Sequence, residues 1–157
     1  MLDKIKQIFG GPSATVDEKN ADEERRLAAA ALMIEAASAD ANYAAKERAI
    51  ITQALASQFS LSQEAAGRLA EEAESAVQAA NDLHRFTKHA KQFSDAEKTT
   101  LVETLWRIIL SDDVRDPYED AFMRRLCGLI YVSDVASGEA RQRALAAGGG
   151  NALDKDN

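Results

Sequence analysis

Residues 94–132 read SDAEKTTLVETLWRIILSDDVRDPYEDAFMRRLCGLIYV, and this stretch decides the fold. Ser94 with Glu97 three positions on is a capping box, the signature of a helix start. Behind it Leu101, Val102, Leu105, Trp106, Ile108 and Ile109 recur at helical spacing in the most apolar segment of the chain, so a central helix is expected through about Leu110. The run Ser111–Arg115 breaks it. Asp116 before Pro117 is an N-cap followed by proline at the first helical position, and Glu119 falls in the first turn. Phe122, Met123, Leu126, Cys127, Leu129 and Ile130 then give a second buried face. The unit is helix, acidic loop, helix.

The same unit occurs upstream. From about Ala21 to Ser38 the chain is rich in Ala, Glu and Arg, with Leu27, Ala30, Ala31, Ile34 and Ala37 forming a 3.6-period stripe. Asp40, Ala41, Asn42 and Tyr43 interrupt it, and Ile50, Ile51, Ala54, Leu55 and Phe59 make the face of the next helix. Sliding the chain against itself by 72 positions sets Met33 on Leu105, Ala37 on Ile109, Asp40 on Asp112, Glu47 on Glu119, Ile51 on Met123, Leu55 on Cys127 and Phe59 on Tyr131. Apolar class and the acidic pair repeat where residue identity mostly does not. Two helical hairpins about a pseudo-two-fold axis are the expected arrangement.

Further helices are expected from Ser62, with a small-residue stripe of Ala65, Ala66, Leu69, Ala73, Ala76, Val77 and Ala80, and from Asn81 or Asp82, carrying Leu83, Phe86, Ala90 and Phe93. Ser133 is expected to cap a last one. No strand pattern occurs, so the fold class is all-α, a bundle of about seven helices. It is expected to divide into an N-terminal amphipathic segment and linker at 1–20, a helical domain at 21–147 and a flexible tail at 148–157, where Gly148, Gly149 and Gly150 begin a polar end.

Composition excludes several functions. The chain has 157 residues, 19 Lys and Arg against 26 Asp and Glu, and a net charge of -7. That balance offers no field to hold a phosphate backbone, so nucleic acid is not an expected partner. No segment approaches the ~20 apolar residues of a membrane span, and no signal peptide is read at the N-terminus. The single cysteine, Cys127, cannot form an intrachain disulfide and suits a reducing cytoplasm. Residues 1–9 place Leu2, Ile5, Ile8 and Phe9 on one face beside Lys4 and Lys6; self-docking or disorder is weighed ahead of peripheral membrane contact, since two lysines hold a membrane weakly.

The acidic loops are the candidate site. Asp112, Asp113, Asp116 and Glu119 lie close together in the second loop, and Asp40 and Glu47 bound the first. Hard cations such as calcium, magnesium or manganese take oxygen ligands from carboxylates and carbonyls, though neither loop has the spacing of an EF-hand. Helix capping and dipole roles explain the same residues without a metal and are weighed ahead. His84 and His89, five apart, do not share a helical face as zinc ligands; with Arg85, Lys88 and Lys91 they form a basic patch, read first as a solvated face and second as a docking site for an acidic partner. Cys127 lies in a buried stripe and is read as core, not as a nucleophile. Trp106 is also core, and its indole N–H needs a partner there.

The helix ending in Ala39 and Asp40 with Glu47 seven on, and Ser111 and Asp112 with Glu119 seven on, resemble the TerB-like family, the tellurite-resistance-associated proteins whose fold also begins the DjlA membrane co-chaperone. The resemblance covers about Ala28 to Asp134. The family's loop usually reads Ala-Asp-Gly; here Ala41 and Asp113 stand at the glycine position, and Asn42 can take the left-handed turn instead. No His-Pro-Asp tripeptide of a J domain occurs. The resemblance implies a cytoplasmic, stress-associated, non-enzymatic module with a protein partner, whose acidic loops hold a divalent cation. A metal-dependent hydrolase using the same carboxylates, or a purely structural partner-binding domain, are the alternatives.

Overall fold

The structure is a computed structural model that describes residues 16–39, 43–111 and 117–156, with side chains from Asn20 to Gly148 within those spans. The N-terminal segment, Asp40, Asn42, Asp112, Asp113 and Asp116 lie outside the described residues. Among the described residues there are seven helices: α1 Val16–Ala37, α2 Ala45–Phe59, α3 Gln63–Ala79, α4 His84–Ala90, α5 Asp95–Leu110, α6 Pro117–Leu129 and α7 Asp134–Asp156. Among the described residues there is no strand. The α7 backbone stays helical to Asp156, past the point where the sequence suggests a tail.

Local chemistry sets the helix ends. Ser94 Oγ accepts from the Glu97 N–H and the Glu97 carboxylate accepts from the Ser94 N–H, closing the expected capping box. Ser62, Asp82 and Ser133 accept from backbone N–H groups of Ala65, His84 and Ala136 at 3.1, 2.9 and 3.0 Å. The helices α2 and α6 stop alike. Ser60 and Tyr131 adopt left-handed φ of 54° and 64°, and the N–H groups of Leu61 and Val132 reach back five residues to the carbonyls of Ala56 and Cys127, each at 2.9 Å.

The 72-residue repeat is visible in these boundaries. Ala45 and Pro117, 72 apart, open α2 and α6, while the equivalents of Ala37 and Gln63 are Ile109 and Val135, each one residue from the corresponding end of α5 or α7. Arg25 and Glu97, themselves 72 apart, form an ion pair between α1 and α5. Self-contact of equivalent positions is what a pseudo-two-fold axis between those helices requires. The pairs α1–α3 and α5–α7, equivalent under the repeat, pack most extensively, and the repeats interlock because α2 also packs on α5 and α6 on α1.

The sequence places one central helix, over 95–110; the structure has a second and more deeply buried one. Ala28 through Ile34 of α1 are each 3% exposed or less. Seven consecutive residues span nearly two turns, so every face of α1 is covered. It contacts α2, α3, α4, α5 and α6. Alanine carries little hydropathy, so its run reads as a narrow stripe, yet its short side chain lets neighbours close in on all sides. Ala66, Ala70, Ala73 and Ala76 of α3 answer with small residues of their own. Leu101, Val102, Leu105 and Ile108 of α5, 1% exposed or less, supply the larger volumes beside them.

Candidate functional site

One contact brings the first turn of α2 to the C-terminal end of α5. Lys46, in the first turn of α2, donates from Nζ to the Ser111 carbonyl at 2.6 Å, 65 residues away at the C-terminal end of α5. The sequence offers no sign of this convergence. On its other side the same turn is fastened to α3. Tyr43 Oη donates to Glu74 Oε2 at 2.6 Å, and Arg48 lies 3.7 Å from Glu74 and 3.8 Å from Glu71. Burial first, and the Glu74 carboxylate second, push the Tyr43 phenol well above its ordinary range, so it stays a donor.

Glu47 and Glu119 occupy equivalent first-turn positions and both are buried, at 8% and 4% exposure. Glu119 has interactions of its own. Glu47 differs, because its Oε2 is buried and accepts no hydrogen bond. The contrast with Glu97 is instructive, since both stand three residues after the N-cap. Glu97 completes a capping box, and the bond from the Ser94 N–H leads in holding its carboxyl below the usual range. The N-cap of α2 is Ala44, which has no side chain to cap with, so no box forms around Glu47. Capping therefore leaves this carboxylate unexplained. A buried carboxylate oxygen without a partner is costly, and water or a cation is the usual remedy.

Of the six candidate ligands, only Glu47 and Glu119 are among the described residues; Asp40, Asp112, Asp113 and Asp116 lie outside them. No group of three or more His, Cys, Asp and Glu side chains able to hold a metal occurs among the described residues. An open groove of about 600 Å³ between α2 and α3 is lined by Ala45, Arg48, Ala49, Thr52, Gln53, Gln63 and Gly67, with no carboxylate among them.

The remaining candidates fall into place as packing and surface. His84 is exposed, and His89 lies 3.6 Å from Glu24 of α1, which offsets part of the basic patch. Arg85, Lys88 and His89 share a cleft of about 200 Å³ with Glu24, Leu27, Ala28 and Phe86. Cys127 is 1% exposed, and desolvation raises its thiol pKa, the opposite of what a nucleophile requires. The Trp106 indole N–H finds its partner in Ser137 Oγ of α7, at 3.1 Å. Sequence reasoning missed Lys46, Tyr43, Arg48 and Ser137. A lysine beside Glu47 was the sole local signal for the first, and the others act across 19 to 31 residues.

No helix among the described residues is long and apolar enough to cross a membrane. No curated protein and no solved structure matches the chain significantly. The family model described as "Tellurite resistance protein TerB" matches residues 26–142, from within α1 into the third turn of α7, and the chain belongs to the TerB family.

Proposed function

We propose that this TerB domain is a cytoplasmic, stress-associated interaction module whose two acidic loops respond to a divalent cation. The observation that carries the reading is Glu47 Oε2, a carboxylate oxygen buried without a partner in the first turn of α2. Such an atom suits a hard cation, which takes carboxylate and carbonyl oxygens. Glu47 would supply one ligand, with Glu119 and the sequence-near Asp40, Asp112, Asp113 and Asp116 as the remaining candidates. The ion would supply charge neutralisation there, relieving the burial of the carboxylates and stiffening both loops into one partner-facing surface.

The stress association rests on the family's description, and the cytoplasmic assignment on a single buried, reduced cysteine.

Thermal melts of metal-stripped protein titrated with calcium, magnesium, manganese and zinc test the proposal. A bound ion stabilises by about 2.7 kcal/mol at a hundredfold excess over its Kd. A midpoint that rises with a hard cation, and no longer rises in Glu47→Gln, supports it. A flat response to every ion refutes the cation reading and leaves a structural partner-binding domain.

A further inference from the structure

The two repeats pair their second and third helices differently. Arg48 of α2 clasps Glu71 and Glu74 of α3, and Ala66 of α3 is fully buried. The repeat-equivalents of these four residues are Asp120, Arg143, Ala146 and Gly138. Arg143 turns instead to Glu103 of α5 at 2.8 Å, and α6 packs only sparsely on α7. Gly138 is exposed, with open space where a Cβ would stand. The result is an open cleft of about 470 Å³ between α6 and α7, whose lining includes Trp106, Asp120, Arg124, Asp134, Gly138 and Arg141.

The cleft carries charge that the first repeat lacks. Arg124 and Arg141 stand where the first repeat has Thr52 and Leu69, and Trp106 stands where it has Ile34. The Arg141 guanidinium lies over the Trp106 ring, 5.4 Å from its centre, which holds it at the cleft wall. Neither arginine forms an ion pair among the described residues. Asp120 has interactions of its own, and Asp134 sits in the first turn of α7, where the helix dipole favours its charge.

We infer that the cleft between α6 and α7 is the docking site for an acidic peptide segment of a partner protein, whose carboxylate is taken by Arg124 and Arg141. Guanidinium donors match a carboxylate in charge and shape. The aspartates of the wall accept from the peptide's backbone N–H groups, and the bare backbone at Gly138 leaves room for a main chain to lie against α7. Phosphate is the poorer match, because the same aspartates repel a dianion and a phosphate dianion has no N–H to offer them. The inference rests on the reading of this domain as an interaction module and gives the partner its chemistry. It shares no residue with the cation reading.

The test is an NMR titration of the isotope-labelled full chain, read at the Trp106 indole and Gly138 amide signals. The probes are a blocked Gly-Glu repeat peptide, its Gly-Gln counterpart and inorganic phosphate. The glutamate peptide should shift both signals saturably, and the glutamine peptide should not. Arg124→Gln should weaken binding by about tenfold, the worth of one charge-assisted contact, and Arg124→Glu should abolish it. Arg124 is exposed, so circular dichroism and melting of both variants should match wild type. No saturable shift, equal binding of the glutamine peptide, or unchanged affinity in Arg124→Gln overturns the inference and leaves the arginines as solvated surface. Phosphate bound more tightly than the glutamate peptide overturns it in favour of a phosphate site. A flat response in the metal melts overturns the cation reading and leaves this inference standing.

Discussion

Replacing Ser137 by alanine strands the indole of Trp106. Ser137 and Trp106 are 9% and 7% exposed, and the indole N–H donates to Ser137 Oγ at 3.1 Å across 31 residues, joining α5 to α7. The Cys127 thiol also faces that hydroxyl. Water has little access to take the place of the hydroxyl, so the variant loses a hydrogen bond and buries an unsatisfied donor, at a cost of about 1–3 kcal/mol. Alanine's better helix propensity returns about 0.5 kcal/mol. The net loss expected is about 1–2 kcal/mol, or roughly 2–8 °C in Tm for a chain of this length. Urea unfolding followed by far-UV circular dichroism reads it, and also serves variants that lack Trp106, the sole tryptophan. In the double variant with Trp106→Phe no donor remains to be stranded, so the two losses should fall short of additive by about 1 kcal/mol. A Ser137→Ala protein within about 0.5 kcal/mol of wild type, or strict additivity in the cycle, would refute the claim that this bond ties the second repeat together.

Two further outcomes follow from the helix ends. Ser60 holds a φ of 54° that glycine adopts without strain, so Ser60→Gly should stabilise by about 0.5–1 kcal/mol in the same urea assay, and a loss would show that the serine side chain contributes there. The carboxyl of Glu97 is held below its ordinary range, first by the Ser94 N–H and with help from Arg25. A depressed carboxylate stabilises the fold above the unfolded pKa near 4.5 and loses that contribution as pH falls through the lower folded value. Wild type should therefore exceed Glu97→Gln in stability near pH 7, with the gap closing below about pH 4; a pH-independent gap across a melt series would contradict this.

The sequence carries only part of the cation reading. Asp40 with Asp112 and Glu47 with Glu119 are legible as a repeat, and the family resemblance points to the loops. The burial of Glu47 and Glu119 is not, because an acidic residue in a first helical turn, such as the half-exposed Glu97, is as compatible with solvent as with the interior. What leaves Glu47 Oε2 without a partner is the packing around α2, a tertiary fact.

The sequence by itself determined the seven helices of the described residues, the Ser94 capping box, the Ser133 cap, the repeat and the need of Trp106 for a partner. Each of these is set by interactions within one or two turns, or by periodicity along the chain. Tertiary structure alone decided that α1 is enclosed on every side, that Ser137 is the residue the indole finds, and that Lys46 reaches Ser111. Those contacts span 31 and 65 residues, and no local propensity encodes them. They arise because alanine-rich helices approach closely enough for two repeats to interlock, which brings side chains distant in sequence within hydrogen-bonding reach.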